Sequence, residues 1–303
     1  MGDVLGQGSG TDAFAGGIVT SQEEREKLAA LGYTSSGRRV PEGEGVSALR
    51  DLKNPKSWAG VQEKIHQASG AVAGGRLDSA REAMESVIAE DAENYEAYAV
   101  LLGVLQEQGD LDELERRIRE ALEFRPDMSK LHTAWGDAAR RRAVALRSQG
   151  KKEEAMAAFE TAATRLERAV ELERFEVDPM LRLASTRFEM GRVELAIEPL
   201  TKAVEIEPRD ARARGMLGTS LVMVGRPNDA IPHLVAAIES GEKDPERQRP
   251  IQAQLLRARI DARDVEGARD SLAWLERNFP GDANVDRVRE LIAEMERSLG
   301  TGD

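Results

Sequence analysis

Between Val177 and Gly241 the chain states one pattern twice, and that repetition restricts its fold more than any other feature. Leu183-Ala184, Gly191, Ala196, Leu200 and Ala203 mark the first copy; Leu217-Gly218, Gly225, Ala230, Leu234 and Ala237 repeat it 34 residues later. Apolar residues recur at three- and four-residue steps on both sides of a glycine, the spacing of one buried face on each of two antiparallel helices. The small residues Ala196, Ala203, Ala230 and Ala237 predict where the helices touch, with Leu200 and Leu234 filling the space beside them. Units of this kind contact only their neighbours, so the length of 303 residues sets a number of repeats instead of the size of a globule.

The pattern resembles the tetratricopeptide repeat, whose period is about 34 residues. That resemblance implies an all-α, right-handed superhelical solenoid. Turn glycines and packing alanines place about six repeats in a domain over 59–303: 61–94, 95–128, 129–176, 177–210, 211–248 and 249–282, with a capping helix at 283–299. Repeat three is elongated. It opens with Trp135-Gly136, but its turn glycine, Gly150, follows fourteen residues after Gly136, where the neighbouring repeats step by seven. Counting back 34 from Ala196, Leu200 and Ala203 lands on Ala162, Leu166 and Ala169, so each helix of this pair gains seven residues at the hairpin tip. Seven residues are about two turns, roughly 10 Å, and keep each buried face nearly in phase. The hairpin is therefore expected to project, held together by Val144, Ala155 and Phe159. In repeat six Arg263 stands where the others carry glycine.

Residues 1–58 lack this periodicity and predict a flexible arm with a short helix near 21–31, started by a Ser21/Glu24 capping box and stopped at Gly32. The run from Gln22 to Tyr33, with Glu23-Glu24-Arg25-Glu26-Lys27-Leu28-Ala29-Ala30-Leu31-Gly32-Tyr33, resembles the segment that closes bacterial sulfatase-type hydrolases before an appended repeat array. It implies an alternative reading, in which the chain is the C-terminal repeat region of such a hydrolase and its catalytic domain is missing. Compartment follows the same fork: cytoplasmic by default, outside the cytoplasm if the chain is the tail of an exported enzyme.

Little in the chain suggests chemistry. There is no cysteine, and the three histidines, His66, His132 and His233, have no second ligand at metal spacing, so they read as surface or groove residues. Gly70 to Leu77 approaches a phosphate-binding loop but has Arg76-Leu77 where lysine and a hydroxyl residue are needed. The Cys/Ser-x-Pro-x-Arg arrangement of sulfatases is absent, and paired acids such as Glu153-Glu154 read as solvated faces. No catalytic, metal or cofactor site is expected, and the chain reads as noncatalytic. A net charge of −12 disfavours nucleic acid, and no run of 18 apolar residues predicts membrane insertion.

Binding is what is left. The resemblance implies that the first helices of successive repeats line a concave groove, with the second, fifth, ninth, twelfth and thirteenth positions facing it. The candidates are Lys130, Thr133, Arg140 and Arg141 in repeat three, Leu181, Ser185 and Phe188 in repeat four, Arg212, Thr219, Val222 and Met223 in repeat five, and Arg257 in repeat six. No asparagine occupies a ninth position, which speaks against a clamp for an acidic chaperone tail. The expected partner is a protein or peptide that sets an apolar residue on Leu181, Phe188, Val222 and Met223, with an acidic neighbour near Arg140, Arg141 or Arg212. Equally, those apolar side chains can serve the packing of repeat on repeat. Exposed repeat ends can also stack, which makes self-association a further expectation.

Overall fold

The computed structural model describes residues 55–241, 243–281 and 283–300. The helix expected near 21–31, and with it the sulfatase-like run 22–33, lies outside them. From Gly60 onward the described residues belong to one compact unit. Thirteen helices and no strand occur among them: α1 Pro55–Ala73, α2 Leu77–Glu90, α3 Tyr95–Gln108, α4 Leu111–Phe124, α5 Ser129–Ser148, α6 Lys152–Leu172, α7 Val177–Glu189, α8 Val193–Ile206, α9 Ala211–Met223, α10 Pro227–Ser240, α11 Pro245–Asp261, α12 Val265–Asn278 and α13 Ala283–Gly300. None of the described helices is long and apolar enough to cross a membrane.

The turn inside each pair is built the same way six times. Residues 75, 109, 150, 191, 225 and 263 hold positive φ, and the next N–H donates to the carbonyl five residues back. These bonds run from Arg76 to Ala71, Asp110 to Leu105, Lys151 to Leu146, Arg192 to Arg187, Arg226 to Leu221 and Asp264 to Arg259, at 2.8–3.1 Å. This closure satisfies carbonyls that a helix end leaves open and requires a left-handed residue, which is why five of the six positions are glycine. Several starts are fixed as locally. Asn94, Asp110, Asp210 and Asp264 accept the N–H of Ala97, Glu113, Ala213 and Gly267, each bond stabilising its helix by about 1 kcal/mol.

Packing then follows the alanine and leucine pattern. Ala196, Leu200, Ala203, Ala230, Leu234 and Ala237 are all buried to 1% exposure or less. A Cβ added at Gly218 of α9 would lie 2.6 Å from Leu234 Cγ of α10, so the missing side chain is what lets the pair approach so closely. The core runs along the stack as successive clusters, from Met84, Leu101 and Leu114 at one end, through Leu200, Leu217 and Leu234, to Leu256, Leu272 and Ile292 at the other. In α13, Val285 and Ile292 close the last cluster, while Leu291 is exposed.

Helices α5 and α6 have 20 and 21 residues, where α7 to α10 have 13 or 14. Ala155 and Phe159 are buried in the extension, but Val144 is exposed and the inward position belongs to Ala143. Sequence reading misplaced that contact by one residue, or 100° around the helix. Arg147 lies over the Phe159 ring at 5.3 Å and lids the pair from the solvent side.

Candidate functional site: a cleft between three first helices

The first helices of repeats four, five and six, α7, α9 and α11, border a cleft of 560 Å³. Repeat four supplies Ser185, Phe188 and Glu189, the ninth, twelfth and thirteenth positions in the register set by Leu183-Ala184. Repeat five supplies Ala211, Arg212, Gly215, Met216 and Thr219, and repeat six Pro250, Ile251 and Gln254. The lining is mainly apolar, formed by Phe188, Met216, Pro250 and Ile251. Its volume falls within the roughly 300–1,000 Å³ typical of ligand sites.

Of the residues expected to face a groove, Ser185, Phe188, Arg212 and Thr219 meet at this cleft. Leu181 and Val222 are 3% exposed and belong to the core cluster that joins α7 to α11. Met223 is exposed at the end of α9 and outside the cleft. Lys130, Thr133, Arg140 and Arg141 are all on α5 and do not line it, with Thr133 bonded to the carbonyl of Ser129 at 3.0 Å. Arg257 is exposed and faces Asp261 on its own helix at 3.7 Å.

Charge pairing separates the arginines further. Arg140 donates to Glu189 Oε1 at 2.8 Å and Arg147 to its Oε2 at 3.2 Å, so α5 already answers the carboxylate at the cleft's edge. Arg141 reaches only the carbonyl of Gln106, at 3.4 Å. Arg182 of α7 bonds Asp137 of α5 and, at 2.6 Å, Asp178 on its own helix. Burial pushes the Asp137 carboxyl above its ordinary value, with the Arg182 guanidinium pulling the other way. Arg212, by contrast, is exposed at the mouth and has no acidic partner among the described residues.

Sequence reading missed Ala211, Gly215, Met216, Pro250, Ile251 and Gln254. Gly215 and Pro250 carried a usable signal, because they hold the fifth position of repeat five and the second of repeat six. The other four follow from the shape of the cleft and from no spacing. Gln254 Oε1 is buried there without a hydrogen-bond partner. The histidines also divide differently from expectation. His132 is buried, its Nε2 2.9 Å from the carbonyl of Pro126, and His233 is half-buried beside Arg214. The described residues contain no group of three or more ligating side chains that could hold a metal ion.

Residues 177–210 match the tetratricopeptide repeat family. Similar solved structures include YrrB, described as a TPR protein with an unusual peptide-binding site, at 17% identity and a TM-score of 0.55, covering 69% of this chain and 99% of that one. Another is pilF of Pseudomonas aeruginosa, at 16% identity and a TM-score of 0.55, covering 76% of this chain and 96% of that one. No curated protein matches the chain in sequence. At these identities the likeness speaks for the fold, and together with the matched repeat and the paired helices it makes the described region a tetratricopeptide-repeat solenoid.

Proposed function

We propose that this solenoid is a noncatalytic interaction scaffold which holds a peptide segment of a partner protein in the cleft between α7, α9 and α11. The tetratricopeptide fold supports a protein-interaction role in general, and the apolar lining of the cleft supports the choice of this place. One observation carries the reading: three successive first helices turn Phe188, Met216 and Ile251 toward one space, with Arg212 unanswered at its mouth. An apolar side chain buried there is stabilised by about 1.5–3 kcal/mol. A carboxylate beside it meets Arg212, whose exposed charge adds about 0–1 kcal/mol and mainly selects among partners.

The test is selection from a displayed library of random dodecapeptides on the purified protein. Enriched peptides are expected to combine an apolar residue with an aspartate or glutamate, and to bind at least tenfold more weakly to Phe188→Ala and several-fold more weakly to Arg212→Glu. Unchanged binding to both variants would remove the cleft from consideration.

A further inference from the structure

Leu101, Leu183, Leu217 and Leu255 hold the seventh position of the first helix in four repeats, and all are 3% exposed or less. Repeat three has Trp135 there. The larger indole packs against the first core cluster yet stays half-buried, and the second helices before and after α5 each lay an arginine over it. Arg165 of α6 lies 3.6 Å from the ring centroid and Arg119 of α4 5.9 Å. A guanidinium stacked on an aromatic face has its plane set by the ring, while its N–H edges stay open to an anion.

No carboxylate answers either of them. On the same two helices Arg116 is paired with Glu113 and Glu120, and Arg168, one turn along α6 from Arg165, with Asp127 and Glu171. Among the described residues, by contrast, Arg165 has neither a hydrogen bond nor an ion pair, and Arg119 reaches only the carbonyl of Glu115 on its own helix, at 3.2 Å. Burial pulls the Arg165 guanidinium below its ordinary value, and no acid stands near enough to oppose that. In a chain with 55 acidic residues to 43 basic ones, a half-buried cation left without a counter-ion points to an anion from outside.

We infer that Arg119 and Arg165, set on Trp135, form an anion site on the second-helix side of repeat three, and that its ligand is a phosphate monoester. Both guanidinium carbons lie within 5.9 Å of one ring centroid, near enough to share a single group of this size. Two unanswered cations match the charge of about −1.5 to −2 that the group carries at pH 7, whereas a carboxylate would leave one of them over. Guanidinium edges also pair with phosphate oxygens two at a time. A net charge of −12 repels anions in general, so binding here depends on the local pair and not on bulk attraction. None of the three residues lines the cleft, and the site stands or falls apart from the peptide-binding reading.

Thermal unfolding of the whole chain tests this in chloride, inorganic phosphate and O-phosphoserine at matched ionic strength, because a ligand held only by the folded state raises the midpoint. Both phosphates are expected to raise the parent's midpoint above the chloride control, and calorimetric titration with O-phosphoserine to show saturable binding that weakens at least tenfold in Arg165→Gln and in Arg119→Gln. In chloride Arg165→Gln is expected to melt no lower than the parent. A lower midpoint with phosphate binding intact would reduce Arg165 to a cover for the indole and overturn the site. Arg119 is exposed, so Arg119→Gln decides the matter if Arg165→Gln does not fold. Selection from a library of phosphoserine peptides separates the sources: enrichment of one flanking sequence assigns the phosphate to a modified protein partner, and binding without sequence preference to a free phosphomonoester. An equal shift with glutamate overturns the choice of phosphate, and no shift beyond chloride overturns the site.

Discussion

Arg182 of α7 reaches back one repeat to the buried carboxylate of Asp137 on α5 and so joins two first helices that have the long α6 between them in the chain. Asp137 is only 13% exposed in its side chain, and its other oxygen, Oδ1, has no hydrogen-bond partner. Removing the guanidinium alone leaves that buried charge without its hydrogen-bonded partner, with only the more distant Arg140 and Arg141 to offset it. Arg182→Met is therefore expected to cost about 1–3 kcal/mol in urea unfolding, less than the roughly 3–5 of a fully buried pair because Arg182 is partly solvated. The double variant Arg182→Met/Asp137→Leu is expected to recover most of that loss. A single variant as stable as the parent would show that the pair contributes nothing.

Arg263 holds φ 57° at the turn where the five equivalent residues are glycine. A left-handed residue with a Cβ is strained by roughly 1–2 kcal/mol, against which glycine loses more freedom on folding. Arg263→Gly is expected to stabilise the last helix pair by about 0.5–1 kcal/mol, raising the midpoint of thermal unfolding. An unchanged or lower midpoint would mean that the arginine side chain compensates for its backbone.

Gly218 and Ala184 occupy the same register position, yet only Ala184 has room for its methyl group. Gly218→Ala is expected to push against Leu234 and cost about 1–3 kcal/mol, despite alanine's better helix propensity. Pairing it with Leu234→Val should restore part of the loss. Denaturant midpoints of the three proteins check both statements.

His233 is held below its ordinary value of 6.5, first by burial and then by the neighbouring Arg214. In that window the unfolded chain binds more protons at this site than the folded one, so its contribution to stability is full above 6.5 and is lost as pH falls through the lowered native value. His233→Gln is expected to flatten the fall in stability on acidification from about pH 7 to 5. Comparing urea midpoints of parent and variant across that range tests the sign.

The fold could be read because its determinants are local and repeated. A turn that needs positive φ admits glycine almost alone, so Gly75, Gly109, Gly150, Gly191 and Gly225 mark the hairpins without reference to anything distant. Hydrophobic period likewise fixes which residues face inward, but not whether inward means the core or a cleft. Leu181 and Phe188 are both apolar and both at groove positions, and only the geometry of α9 and α11 separates the buried one from the one that borders open space. The fault at Val144 is of another kind: an inserted heptad shifts the phase by only about 20°, too little to account for the 100° between Val144 and the inward Ala143. The cleft was harder still, since residues of three separate helices, Phe188, Met216 and Ile251, meet in it.

The long hairpin of α5 and α6 is tied to its surroundings by Arg142, which meets Asp112 and Glu115 on one side, and among others by Arg140, Arg147, Glu160 and the Phe159 cluster, which meet Glu189, Arg192 and Met190 on the other. Among the described residues the tip around Gly150 is bonded within the hairpin, as in Ser148 to the carbonyl of Ala145 and Lys151 beside Glu154. The molecule thus carries a handle, a place where a tag, a graft or a tether can be attached while the helices below go on holding one another as before.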